Sequence, residues 1–352
     1  MKLVTSFLFF LYLFETLLFA AATDKNSEDS NYAVVFTYHR FGETKYPSTN
    51  IRLEQFAYQL DYLKDNNYNV WPLSKIVNYM KENKNIPPKT VAICMDDAYV
   101  TVYTNAYPML KKKNFPFTVF VNTMPVIHKS KRYMTWDQMR EMSAHGAYFA
   151  NHTYSHAYLT QKRSENKEQW DKRVRKEIEK ADDKMRKELG ESVNTNPKML
   201  AYPFGEYSVE LERLLVSMDY VGISQVSGPF GKDTLLTRVP RFPMSETYAT
   251  KKGFLLKLNT VPLPIVSIKP EETMLKGNNP PTLRIKLKEP HKDMLCYKSN
   301  GDKIDMKWIS DTEVEIKSRK RLKLPRDHYT CTAKAEDGKW YWYSHLWVFR
   351  QK

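Results

Sequence analysis

The chain has 352 residues, with 55 Lys and Arg against 40 Asp and Glu and a formal net charge of +15. Such an excess attracts anions at long range but does not set the fold. The basic residues are spread along the whole chain among the acids and form no recognisable nucleic-acid module, which excludes nucleic acid as a partner and points to an anionic envelope surface.

Lys2 opens a short positive region, an apolar run follows from Leu3 to Ala20, and Ala20-Ala21-Ala22 offers small residues for cleavage before the polar Thr23. The pattern predicts a signal peptide over residues 1–22 and an exported protein, periplasmic or secreted. An uncleaved anchor is the alternative. No cysteine lies near the cleavage point, which gives no support to a lipoprotein. Beyond Ala22 no apolar run is long enough to span a bilayer, so no membrane span is expected after cleavage. The remainder exceeds what one core usually organises, and two domains are expected.

Residues 33–38, 90–95 and 117–121 are short runs that are apolar nearly throughout. Between the first two, Leu53, Phe56, Leu60 and Leu63, and then Ile76 and Met80, recur at helical spacing. Continuously apolar strands alternating with helices predict a parallel sheet covered on both faces, an α/β layer fold or barrel. In such folds the working groups gather at the carboxyl ends of the strands. Trp170, Val174, Ile178, Ala181, Met185 and Leu189 predict one amphipathic helix within 161–190, with Gly190 at its end and a solvated basic face.

From about Ser267 short alternating stretches replace the helical spacing, such as Leu283 to Leu287, separated by Asn-Pro-Pro and Asn-Gly turns. Residues 267–352 are expected to form a small all-β domain, joined through Val261-Pro262-Leu263-Pro264. Cys296 and Cys331 fall together in this domain and are expected to pair, whereas Cys94 lies in an apolar strand as a buried small side chain. Trp340, Trp342 and Trp347, with Tyr341 and Tyr343, are read first as core and second as sugar-stacking groups, so the domain is given a structural or docking role.

Four polar clusters stand where strands or helices should end: His39 in YHRFG, Asp96-Asp97 in CMDDAY, His152 and His156 in NHTYSH, and Tyr202-Pro203-Phe204-Gly205. Singly they are weak, since an Asp pair can cap a strand and His-x-x-x-His arises by chance. Together, with the run from Thr90 to Asn122 and YMTWDQMREMSAHG, they resemble the polysaccharide deacetylase family, the NodB-homology domain of carbohydrate esterase family four. The resemblance extends over roughly residues 32–245. It implies a distorted (β/α) barrel over residues 30–260, ahead of the small all-β domain.

The resemblance further implies a divalent metal held by Asp97, His152 and His156, a set that leaves a position open for chemistry. Zinc is the first choice, and the mixed donors also suit cobalt, nickel or iron. Asp96 matches the general base that takes a proton from the attacking water, and the backbone N–H of Phe204 matches the oxyanion donor. Tyr202, Pro203 and Phe204 form the implied substrate-binding turn. Two departures from the commonest pattern stand out. The arginine that usually precedes the Pro-aromatic turn is replaced by Leu200, Ala201 and Tyr202, so Arg238 or Arg241 is the candidate to orient the base, Arg241 being preferred. No late Leu-x-His follows in the barrel, so His39 is the candidate acid, as in the similar Tyr-His motif of poly-N-acetylglucosamine deacetylases. The implied function is exported, metal-dependent removal of N-acetyl groups from a cell-surface or extracellular N-acetylated polysaccharide. The alternatives are an inactive glycan-binding protein of the same fold and a hydrolase of O-acetyl esters or small amides.

Overall fold

A computed structural model describes residues 31–191 and 193–349, so the expected signal peptide lies outside the described residues. Six strands pair in parallel in chain order: β1 (Tyr32–Tyr38), β2 (Thr90–Asp96), β3 (Phe117–Val121), β4 (Ala147–Asn151), β5 (Met199–Ala201) and β6 (Val221–Ile223). The gap between β6 and β1 is closed by one later segment. Val239 bridges Ile223, and Phe242–Pro243 pair in parallel with Phe36 and Thr37. The result is a distorted barrel.

The helices of this unit are α1 (Leu53–Asp65), α2 (Leu73–Lys81), α3 (Tyr107–Lys113), α4 (Thr123–Ile127), α5 (Trp136–Ser143), α6 (Lys167–Leu189), α7 (Val209–Ser217) and α8 (Lys251–Leu258). Helix α6 begins six residues inside the expected 161–190 segment, at Lys167. Its start is fixed by reciprocal hydrogen bonds between Asn166 and Gln169, and Gly190 ends it at φ 103.

The strands are buried on both faces, and alternate residues enter two different apolar clusters. Ala33 and Val35, Ala92 and Cys94, Phe120, Ala150, Ala201, Ile223 and Val239 share one cluster, joined by Leu73, Ile76 and Val77 of α2. Val34 and Phe36, Ile93 and Met95, Val119 and Phe149 belong to the other, with the apolar stripe of α1. The two-residue period of a strand therefore decides which polar residues at the strand ends look inward. His39, Asp96, His152 and Arg241 each continue the parity of the first cluster.

The C-terminal unit is a sandwich of two four-stranded sheets. One is ordered β7 (Thr260–Pro262), β14 (Trp340–Val348), β13 (Arg326–Lys334), β10 (Leu295–Lys298); the other is β8 (Ile265–Lys269), β9 (Thr282–Leu287), β12 (Glu313–Lys317), β11 (Asp305–Trp308). Its strands begin at Thr260, ahead of the expected start at 267, because the proline segment is itself part of the sheet. Pro262 is accommodated on β7 because that strand is an edge. Cys296 and Cys331 are register partners on β10 and β13, and a disulfide joins them, while Cys94 is free and buried. Trp347 is core, but Trp342 packs edge-on against Phe242 of the barrel at 5.4 Å and so belongs to the seam between the units.

His345 on β14 is 2% exposed. Burial, with Arg238 and His328 nearby, pushes its imidazole down from 6.5 to about 3. Between those values the unfolded chain binds a proton that the folded chain does not, so this contribution is complete above pH 6.5 and is lost as pH falls toward 3. His345→Phe is expected to flatten the fall in stability between pH 7 and pH 4, by up to about 3 kcal/mol at the acid end. Melting curves across that range measure it, and parallel pH slopes for both proteins would refute the assignment.

Candidate functional site

The inward parity and the strand ends bring five polar side chains to one mouth of the barrel. Asp96 ends β2, fully buried, directly above Cys94 in parity. Arg241 reaches it from the closing segment, where Val239 is tied to β6 and Phe242 to β1, leaving residue 241 between two anchors and pointed inward. Its Nη1 donates to Asp96 Oδ1 at 2.7 Å and its Nη2 to Oδ2 at 2.8 Å, while Nε donates to the Ser224 carbonyl at 2.9 Å. Both side chains are 0% exposed. A planar guanidinium facing a carboxylate in this two-pronged manner fixes its orientation as well as its charge. Burial would raise the Asp96 carboxyl, but Arg241, helped by the imidazoles of His152 and His39, outweighs it and holds the group at about 2.

Gln225 was not anticipated. Its Nε2 donates to Asp96 Oδ2 at 3.0 Å and lies 3.5 Å from His39 Nε2. The only signal in the sequence was parity, since Gln225 follows Val221 and Ile223 at two-residue spacing. His39 Nε2 is 3.9 Å from Asp96 Oδ2, so the histidine stands beside the carboxylate and shares the Gln225 amide with it. The first strand thus delivers His39, the candidate acid, next to the Asp96 carboxylate.

Asp97, one residue past the end of β2, turns away from Asp96 by adopting φ 72. Its Oδ1 lies 3.5 Å from His152 Nε2 and 3.3 Å from His156 Nε2. One ligand atom from each of the three residues falls within 4.8 Å of the others. The His152 ring is oriented from behind, because Nδ1 is 2.8 Å from the Ala201 carbonyl and must carry the hydrogen there. That leaves Nε2 as a bare lone pair, and it is buried without a hydrogen-bond partner. An orphaned ring nitrogen facing a carboxylate and a second imidazole fits a cation, and the backing carbonyl is the usual support of a metal-bound histidine. Burial drives the His156 imidazole down to about 4, keeping it in the neutral form that a ligand needs. For His152 burial also opposes charge, but Asp97 and Asp96 prevail and raise it. Asp97 is held below the usual carboxylate range by the same imidazoles, against its burial.

The loop that carries both histidines is held from its other side. Asn151 faces away from the mouth, donating to Asp182 at 2.7 Å and to the Ile178 carbonyl of α6 at 2.9 Å, while its own Oδ1 accepts from the Thr153 amide. Around the site the backbone is strained. Asp97, Ala98, Thr153, His156 and Phe204 all have φ between 56 and 72. Side-chain-bearing residues pay for that region, and such clusters persist where packing over-determines them, commonly at functional sites.

The turn Pro203–Gly205 lies beyond β5. The Phe204 ring packs against His156 at 4.6 Å and stacks on Tyr158 at 4.1 Å, at the rim of the triad. Gly205 is required there, since a Cβ would come within 2.9 Å of the Gln225 backbone nitrogen. Tyr202 corrects an expectation. Implied as a substrate contact, its side chain is instead fully buried, with the hydroxyl donating to the Thr237 carbonyl at 2.7 Å, so it anchors the turn from below. Arg238, the other arginine considered, does not approach Asp96; it forms two 2.6 Å bonds to Glu212.

Residues 83–223 match the family described as Polysaccharide deacetylase. A poly-beta-1,6-N-acetyl-D-glucosamine N-deacetylase of Staphylococcus aureus (strain MRSA252) is 28% identical over 180 residues, 50% of this chain and 61% of the relative. The chain spans about three fifths of the length of the curated relatives it matches. Among solved structures, the Streptococcus pyogenes deacetylase PplD in complex with acetate superposes with a TM-score of 0.57 at 22% identity, covering 64% of this chain and 98% of that one. IcaB from Ammonifex degensii gives 0.54 at 22% identity, covering 64% and 97%. These two likenesses show the distorted barrel as a shared fold. Within the barrel, residues 83–223 therefore carry a match to the polysaccharide deacetylase family, and the chain is similar to N-deacetylases of that kind.

Proposed function

We propose that the protein is an exported, metal-dependent deacetylase that hydrolyses N-acetyl groups of amino sugars in a cell-surface or extracellular polysaccharide. The observation that carries the proposal is the adjacency of an orphaned, buried imidazole in an Asp-His-His set to a second carboxylate clamped by Arg241. One carboxylate is arranged to hold a cation, and its sequence neighbour to accept a proton.

Asp97, His152 and His156 would hold the divalent ion, with zinc preferred. When bound, such an ion polarises the acetamide carbonyl and makes water more acidic. Asp96 is the base that takes the proton of the attacking water. Arg241 and Gln225 fix its two oxygens and keep it ionised at any working pH. The Phe204 backbone N–H faces the developing oxyanion, and a donor built into a strained turn needs no reorganisation during the reaction. The Phe204 ring, with Pro203 behind it, forms an apolar wall for the acetyl methyl. His39 supplies the proton that the departing amine requires. Although no arginine precedes the turn, Arg241 brings a guanidinium to Asp96 from another strand end, which counts against the inactive glycan-binding alternative.

The test is acetate release by the purified protein from β-1,6-linked and β-1,4-linked N-acetylglucosamine oligomers, before and after chelation and metal restoration. His152→Ala and Asp97→Ala are expected to lose bound metal, measured by elemental analysis, and to lose acetate release to background. Full metal content in either variant would remove that residue from the ligand set. Wild-type protein that holds metal and releases no acetate from any of these polymers would overturn the proposed activity.

A further inference from the structure

The barrel's turn at Phe204 is gripped by the C-terminal unit at three successive points. Arg326, the first residue of β13, donates from Nη1 to Glu206 Oε1 at 3.0 Å, and its guanidinium carbon lies 5.8 Å from the centre of the Phe204 ring. The Thr273 hydroxyl, in the connection between β8 and β9, donates to the Tyr207 carbonyl. Glu272 Oε1 accepts from the Val209 amide at 3.4 Å. Beneath these contacts Leu346 and Val348 of β14 share an apolar cluster with Tyr202, Tyr207, Leu211 and Leu215 of the barrel. Glu206 is 1% exposed, so its charge is compensated within the protein and not by solvent.

These contacts converge on one of the strained segments around the site. Phe204 has φ 60 and ψ 5, a left-handed conformation that an aromatic residue adopts only when its surroundings insist. Its N–H is the proposed oxyanion donor, and the value of such a donor depends on sub-ångström placement. Tyr202 braces the turn from the barrel side, its hydroxyl bonded to the Thr237 carbonyl. Arg326 braces it from the other.

We infer that Arg326 is a positioning residue for the reaction, and that the β-sandwich, through its pair with Glu206, holds the oxyanion turn in register with the metal triad. The inference rests on the proposed deacetylase activity. It gives the C-terminal unit a part in the chemistry that neither its sequence texture nor its fold suggests.

The test compares wild-type protein with Arg326→Ala, Arg326→Lys and the charge-neutral pair Arg326→Ala/Glu206→Gln, on an N-acetylglucosamine oligomer and on an activated aryl acetate. Because the turn serves the oxyanion of both substrates, Arg326→Ala and the double variant are expected to lose about 10- to 100-fold in kcat on both, with KM changed by less than about 3-fold and metal content intact. Arg326→Lys should recover part of the loss by restoring the charge opposite Glu206. The double variant leaves no unpaired buried charge, so its activity can be read even if Arg326→Ala folds poorly. A rise in KM on the oligomer alone would make Arg326 a substrate contact and overturn the positioning role, as would unchanged kcat in a folded double variant. Absence of acetate release from wild-type protein would instead strike the proposed activity.

Discussion

Asp96→Asn should keep its metal and lose deacetylation by about 10²–10⁴-fold, the usual worth of a positioned proton acceptor. The substitution preserves size and places an amide where a carboxylate stood. The amide oxygen can still accept where Oδ2 stood, from Arg241 Nη2 and Gln225, but the NH2 then faces Arg241 Nη1 and one hydrogen bond is lost; in the opposite orientation two are lost. More important, an amide does not accept a proton from water at neutral pH. The metal set is untouched, because Asp97 points the other way from its left-handed backbone position. Steady-state rates on an N-acetylglucosamine oligomer, paired with elemental analysis, separate the two carboxylates. Equal metal loss in Asp96→Asn and Asp97→Ala would abolish the division of labour between them.

The second large effect is expected at His39. An amide anion is too basic to leave, so the tetrahedral species collapses productively only if the nitrogen is protonated as it departs. His39 is a partly accessible imidazole at the mouth, and the Gln225 amide and Asp96 carboxylate beside it can orient the ring. His39→Ala should retain metal and lose about 10²–10³-fold on acetamide substrates. An activated aryl acetate needs no proton on its leaving group and should keep most of its rate. A comparable fall on both substrates, or on neither, would remove His39 from the role of acid. Its position next to Asp96 gives the experiment a further use, because a histidine that merely supports the base would depress both substrates together.

What was legible in the sequence followed from periodicity and from residue types with narrow uses. The continuous apolar runs of β1, β2 and β3 and the helical spacing of α1, α2 and α6 are visible because each element is buried in a way its period reports. The triad was legible because three ligand-type residues sat at strand ends in a spacing shared with a family. Arg241 was reachable only as one of two arginines in LTRVPRFPM; strand parity, with Val239 inward, would have separated it from Arg238. Gln225 escaped because an amide after a short strand has no distinctive signature. Tyr202 was misjudged because its neighbour Phe204 does pack on the triad, whereas the strand's alternation into the turn sends the tyrosine into the apolar cluster with Leu211. The contact between Arg326 and Glu206 joins residues far apart in the chain, and no local pattern encodes it.

The segment that shuts the barrel also delivers the base's partner. Until Val239 reaches β6 and Phe242 reaches β1, Asp96 has no guanidinium beside it, and a carboxylate enclosed without one would be costly to keep charged. The clamped carboxylate at the mouth therefore forms only once the first barrel strand has been sealed by the segment that follows β6. A chain in which this seam has not formed carries the Asp-His-His set without the clamped carboxylate beside it.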